Sequence, residues 1–186
     1  MRSLLLVVLL ATGGIACAQT SAVTPETKAS AALPEAQTPV GASAELKATV
    51  GNGVSGTLKL TPQQGGVQMT GSIKGLTPNT QHGFHIHEKG DCSAPDASSA
   101  GAHYNPTGQP HGNPAAAARH LGDMPNIQSD AKGVAKVDLV INDVTLRTGE
   151  ASDIVGKSVV LHEKVDDYKS QPAGNSGDRI ACAVIK

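Results

Sequence analysis

Five of the chain's seven histidines, His85, His87, His103, His111 and His120, fall between Phe84 and Asp123. Neutral imidazole is a ligand for copper and zinc, so the spacing of these residues bears on metal coordination. In an extended segment His85 and His87 project from one face, while Phe84 and Ile86 project from the other. Alone, such a His-x-His reads as two polar residues on a half-buried strand. The residues that follow shift the balance. His103 lies in Gly101-Ala102-His103-Tyr104-Asn105-Pro106, His111 in Pro110-His111-Gly112, and His120 and Asp123 in His120-Leu121-Gly122-Asp123. Three His and one Asp make a closed tetrahedral set of the type structural zinc takes. His162 follows Val159-Val160-Leu161, and strand pairing would return it to the face of His85 and His87.

The elements that must position these residues are strands. Apolar residues recur with period two at Leu46, Ala48 and Val50, at Val54, Gly56, Leu58 and Leu60, and at Val67, Met69, Gly71 and Ile73. The same period continues at Phe84 and Ile86, at Val137, Leu139 and Ile141, at Val159 and Leu161, and at Ile180, Cys182 and Val184. Gly51-Asn52-Gly53 and Gln64-Gly65-Gly66 punctuate them as hairpin turns. The pattern predicts an antiparallel β-sandwich or barrel. Glu88 to Asp130 breaks it, and a loop that long inside a compact domain demands a staple. Within it, Asn113 to Arg119 is expected to form one or two helical turns, with Asn113 as cap and Pro114 at the first position.

Composition narrows the class. The chain has 186 residues, enough for one ordinary domain with a core. Its 21 Gly and 11 Pro argue against a long-helix bundle. A net charge of −1 with no basic block argues against nucleic acid as a partner. An anionic substrate would therefore need a local positive site.

Residues 1–17 read as an export signal: Arg2, then the apolar run Leu4 to Leu10, too short to span a bilayer. Ala16-Cys17-Ala18 fits cleavage before Gln19. Alternatively, Cys17 is the lipidated first residue of a bacterial lipoprotein, although Gly14 stands where such a motif usually has Leu. Residues 18–42, rich in Ala, Thr, Ser and Pro, read as a disordered linker, and the folded domain is expected over 43–186.

Several separated motifs, in order, are similar to those of the copper–zinc superoxide dismutases, in particular the bacterial exported form. They are Gly83-Phe84-His85-Ile86-His87-Glu88, Gly90-Asp91-Cys92, Gly101-Ala102-His103-Tyr104-Asn105-Pro106, His120-Leu121-Gly122-Asp123, Leu161-His162-Glu163-Lys164 and Gly174-Asn175-Ser176-Gly177-Asp178-Arg179-Ile180-Ala181-Cys182. The resemblance implies an all-β Greek-key antiparallel barrel or sandwich of about eight strands with long metal-binding and electrostatic loops. It implies copper on His85, His87, His103 and His162, and zinc on His103, His111, His120 and Asp123, with His103 shared. It assigns superoxide docking to Arg179 and a proton to His103. Asp166 would link His85 and His111 from behind the ligands, and Asp167 would be an ordinary acidic turn residue.

Asp178 departs from the family, which often has a small neutral residue there, and would weaken anion attraction if it faced the channel. Lys164 and Lys169 would add positive charge nearby. Cys92 and Cys182 would form a disulfide, consistent with an odd cysteine count in which Cys17 is either removed or lipidated. His82, left over, is expected at the surface. The implied activity is dismutation of superoxide in the periplasm or cell envelope. The alternative is a copper- and zinc-binding protein without turnover on the same fold. A homodimer and a membrane tether through Cys17 both stay open.

Overall fold

The structure, a computed structural model, describes residues 40–186. The export signal and all but the last three residues of the 18–42 linker lie outside the described residues. Nine strands follow: β1 (Ala42–Ala48), β2 (Ser55–Gln63), β3 (Gly66–Lys74), β4 (Gln81–His82), β5 (Phe84–His87), β6 (Ile127–Gln128), β7 (Val134–Asn142), β8 (Ser158–His162) and β9 (Arg179–Val184). The first strand thus opens at Ala42, the last residue of the expected linker. Among the described residues there is no α-helix, only a 3₁₀ turn at Ser98–Ala100.

Every strand pair is antiparallel, and seven strands form one sheet in the order β5-β8-β9-β1-β2-β3-β7. β1 to β3 form a meander, joined between β2 and β3 by the two residues Gln64 and Gly65. Gly65 has φ +81, a left-handed conformation that glycine adopts without a Cβ penalty. The chain then crosses to the far edge for β5, returns beside β3 for β7, and crosses again to insert β8 between β5 and β9, a Greek-key path. β4 pairs with β6, and Ser129 bridges Ala135 of β7, so the two edges are brought together and the sheet curls into a barrel.

The interior is aliphatic, because the chain has one Phe and no Trp. Leu46, Leu58, Leu60, Met69, Ile73, Phe84, Ile86 and Leu161 fill it from alternate strand positions, all fully buried. The alternation stops short at the end of β1. Ala48 is exposed and Val50 is 80% exposed, because the strand ends and Val50 sits in the turn with its N–H on the Pro95 carbonyl.

β5 and β8 are buried at every position, and β9 at its four central ones. One face of these strands lines the core. The other is covered by the loops that follow β5 and β8. There Ala97, Ala100, Val160 and Cys182 form a second apolar cluster beside Cys92. Cys92 and Cys182 are joined in a disulfide, with Cα atoms 5.8 Å apart across a separation of 90 residues. This is the staple that the long loop demands.

The expected helical turns at Asn113–Arg119 do not form. Asn113 Oδ1 accepts from the Ala115 N–H, and its carbonyl accepts from Ala116, which makes a single turn. Arg119 then turns inward, where it is buried against the Ala116 and Asn142 carbonyls and Asp143. The four alanines between are exposed, so no packing carries a helix further.

Replacing both cysteines (Cys92→Ser with Cys182→Ser) is expected to lower the unfolding free energy by about 2–5 kcal/mol. A urea midpoint equal to that of the oxidised parent would contradict the stapling role.

Candidate metal centre

β5 is an edge strand of its sheet, and its free edge is occupied by the loop that follows it. The Ile86 N–H donates to the Gly122 carbonyl (2.9 Å), the Tyr104 N–H to the Ile86 carbonyl (2.8 Å), and the Gly122 N–H to the Tyr104 carbonyl (2.9 Å). This places His103 opposite His87 and Asp123 opposite His85 in isolated bridges. On the other side β5 pairs with β8: Phe84 faces Leu161 and His85 faces Val160. His162 lies on the same face as Val160, and its N–H donates to the Gly83 carbonyl at 2.9 Å. The ring centroids of His85 and His162 are 4.9 Å apart, and those of His85 and His103 4.0 Å apart.

Two groups of potential ligand atoms result, each with its atoms within 4.8 Å of one another and every residue buried: His85, His87, His103 and His162, and His103, His111, His120 and Asp123. His103 belongs to both. Its Nδ1 lies 2.9 Å from Asp123 Oδ1.

In the first group, one nitrogen of each ring is engaged from behind. His85 Nε2 is 2.7 Å from Asp166 Oδ2, His87 Nδ1 is 2.9 Å from the Gly101 carbonyl, and His162 Nδ1 is 3.2 Å from the Gly177 carbonyl. The opposite nitrogens, His85 Nδ1, His87 Nε2, His103 Nε2 and His162 Nε2, are buried without a hydrogen-bond partner. Buried polar atoms are almost always paired, so four converging orphans mark a position for an electrophile. Four imidazole nitrogens suit copper.

In the second group Asp123 Oδ1 is 2.9 Å from His103 Nδ1, 3.0 Å from His111 Nδ1 and 3.3 Å from His120 Nδ1. His120 Nδ1 and His103 Nδ1 are 3.4 Å apart. The edge of a tetrahedron of ligands about 2.0 Å from a zinc ion is about 3.3 Å, so the spacing and the His₃Asp composition fit that ion. Asp123 Oδ2 is fixed by the backbone N–H groups of Gly112 and His120. The buried Asp166 carboxylate links the groups, with Oδ2 on His85 and Oδ1 3.0 Å from His111 Nε2.

Burial sets the electrostatics. It holds His103 at about 4 and His162 at about 3, and lowers His85 and His87 as well, His87 well below the usual imidazole value. His111 is also pushed down by burial, but its two carboxylate partners overcome this and raise it to about 9. Asp123 and Asp166 lie well below the usual carboxylate range: their histidine partners outweigh the effect of burial.

Arg179, the first residue of β9, donates from Nη1 to the Ala97 carbonyl and from Nη2 to the Gly101 carbonyl, both at 2.7 Å. It shares the Gly101 carbonyl with His87. A cavity of about 590 Å³ opens above His87, His103 and His162, walled by Pro172, Ala173 and Arg179. Asp178 lines the neighbouring groove with Asp96 instead, on the other side of Arg179. Lys164 and Lys169 are exposed. Asp167 accepts from the N–H groups of Lys169 and Ser170, a solvent-exposed turn.

A second expectation fails. His82 is buried, at 3% exposure, rather than at the surface. β4 turns its ring inward, where Nδ1 is 2.9 Å from the His162 carbonyl and Nε2 is 2.8 Å from Thr80 Oγ1, so neither nitrogen is left unpaired. Asn126 is a supporting residue without any sequence signature. Its amide accepts from the Asp166 N–H and donates to the Asp166 carbonyl, both at 2.9 Å, across 40 positions.

Comparison with known proteins agrees with this arrangement. The family model "Copper/zinc superoxide dismutase (SODC)" matches residues 54–185. Superoxide dismutase [Cu-Zn] 2 of Aquifex aeolicus is 45% identical over 148 residues, which cover 78% of this chain and 86% of that protein. An extracellular superoxide dismutase [Cu-Zn] of Onchocerca volvulus is 42% identical over 144 residues, 72% of this chain and 70% of that protein. Among solved structures, a SOD-like protein from Bacillus subtilis superposes with a TM-score of 0.70 at 35% identity, covering 76% of this chain and 95% of that one.

The metal-free protein is expected to be most stable near pH 6.5. His85, His87, His103 and His162 favour their neutral forms in the fold, so their contribution is complete above about 6.5 and is lost as the pH falls below it, through about 4 for His103 and about 3 for His162. His111 favours its charged form, so its contribution is complete below about 6.5 and is lost as the pH rises through about 9. Urea midpoints of the metal-free chain from pH 3 to 10 check this. A profile flat between pH 7 and 4 would contradict it.

Proposed function

The chain belongs to the copper/zinc superoxide dismutase family, and from that membership we propose that it converts two superoxide ions and two protons into one oxygen and one hydrogen peroxide outside the cytoplasm. The observation that carries the reading is the set of four buried, unpartnered imidazole nitrogens beneath a cavity bordered by Arg179. In this reading copper takes His85, His87, His103 and His162, and zinc takes His103, His111, His120 and Asp123. Bound copper would supply a one-electron redox couple, and zinc, without redox chemistry, would be structural.

The chain's own residues do the rest. Arg179 spends one N–H of each terminal nitrogen on the Ala97 and Gly101 carbonyls, and each terminal nitrogen keeps another. Its guanidinium stays charged and attracts the anion to the cavity that His87 and His162 line. The negative global charge offers no such pull. His103 is deprotonated when it serves both groups, and its Nε2 is the atom that takes up a proton and passes it to the reduced product. Asp166 and the Gly101 and Gly177 carbonyls keep the other rings turned with the correct nitrogen inward. The reading without turnover, a metal store on the same fold, leaves Arg179 its hydrogen bonds to the Ala97 and Gly101 carbonyls but gives no role to its remaining N–H groups over the cavity.

Export is supported by the disulfide, which persists in oxidising compartments, and by extracellular proteins among the relatives. We place this chain in the periplasm or cell envelope, with residues 1–17 as the export signal and residues 18–41 as a tether.

Purified from its host, the chain is expected to carry copper and zinc and to dismute superoxide. Arg179→Ala should lower kcat/KM roughly ten- to a hundredfold with metal content unchanged. Turnover equal to the parent would remove the anion site, and both metals without turnover would favour the store. Mass spectrometry of the mature N-terminus should show either a lipidated Cys17 or a start at Gln19. A retained Met1 would contradict export through this signal.

A further inference from the structure

A carboxamide carries one acceptor oxygen and two N–H donors, so a single side chain can pair with both the N–H and the C=O of one residue. Gln171 does this to His111. The His111 N–H donates to Gln171 Oε1 at 2.9 Å, and Gln171 Nε2 donates to the His111 carbonyl at 2.9 Å, across 60 positions. Nε2 also lies 3.3 Å from the Lys169 carbonyl, so the whole amide is engaged.

His111 is where such a bracket matters. The other proposed ligands are held through their own backbones. His85, His87 and His162 lie in strands, His103 and Asp123 bridge β5, and the His120 carbonyl accepts from the Asp123 N–H. His111 lies in no strand, and among the described residues its backbone hydrogen bonds are those to Gln171. Its ring is suspended between two carboxylates, Asp123 on Nδ1 and Asp166 on Nε2. Gly174, in the same loop as Gln171, closes over that contact. A Cβ there would lie 1.7 Å from Asp166 Oδ1 and 2.8 Å from His111 Nε2, and its φ of +64 suits glycine. The loop therefore grips His111 by ring and by backbone at once.

We propose that Gln171 is a positioning residue for zinc coordination: it fixes the His111 backbone so that Nδ1 stays aimed at the His103, His120 and Asp123 atoms. It touches neither metal nor substrate. The inference rests on the zinc assignment made above. Through Pro172 and Ala173, the next two residues, the same bracket also anchors a wall of the cavity over the imidazoles.

The test uses the full metal-loaded chain and two variants. Gln171→Leu removes both hydrogen bonds, and the isosteric Gln171→Glu keeps the acceptor but loses the donor. The first readout is the rate of zinc transfer to a chromophoric chelator. The second is the visible ligand-field spectrum with cobalt(II) in place of zinc, which reports ligand geometry. Zinc release is expected to be roughly tenfold faster in Gln171→Leu, in the range found for residues that orient metal ligands. Gln171→Glu should lie between it and the parent, and the cobalt bands should shift in both. Unchanged release and spectra in variants of a zinc-holding parent would overturn the proposal. So would a lowered Tm with an unchanged cobalt spectrum, which marks a purely structural contact. A parent that holds no zinc would overturn the zinc assignment itself.

Discussion

The backbone pairing along the free edge of β5 is the constraint on which the centre depends. A strand edge is a row of unsatisfied N–H and C=O groups, and proteins cover it with more chain. Here the cover is the loop after β5, and its register decides which side chains meet. Ile86 takes Gly122 and Tyr104 as partners, and this brings Asp123 beside His85 and His103 beside His87. β8 on the opposite side supplies His162 by the same rule. One short strand thus carries two candidate ligands and receives three from its neighbours, and His103 falls between the two groups because it borders both.

That arrangement is costly without metal. A buried polar atom without a partner costs about 1–3 kcal/mol, and four imidazole nitrogens are in that position. The fold tolerates them because it is held elsewhere: by a continuous aliphatic core, by the Cys92–Cys182 disulfide, and by hydrogen bonds that satisfy the other side of each ring. Metal binding removes the penalty, so affinity for metal and stability of the fold are coupled. The carboxylates behind the ligands add a second constraint. Asp166 touches one ring from each group, so the orientations of His85 and His111 depend on a single residue, whose backbone is held by Asn126.

What could be read beforehand follows the range of the interactions. Period-two alternation is local, so the strands and the opposed faces of Phe84 and His85 were legible. Metal chemistry is stated in residue types, so the His and Asp sets were legible as sets. The arrangement at His82 was not, because its inward turn depends on β4 closing the barrel against β6, a contact between segments more than forty positions apart. The Asn126 and Gln171 brackets are equally silent, since neither carries periodicity or charge. The run Asn113–Arg119 misled for the opposite reason. Its local preferences suit a helix, and the buried partners of Arg119 overrode them.

The shared ring of His103 is the central claim, and magnetic coupling reports it most directly. With copper(II) in the four-imidazole group and cobalt(II) in the His₃Asp group, an imidazolate ring between the ions should couple their spins and suppress the copper electron paramagnetic resonance signal, and His103→Ala should restore it. A full, uncoupled copper signal with both groups occupied would show that no single ring joins them.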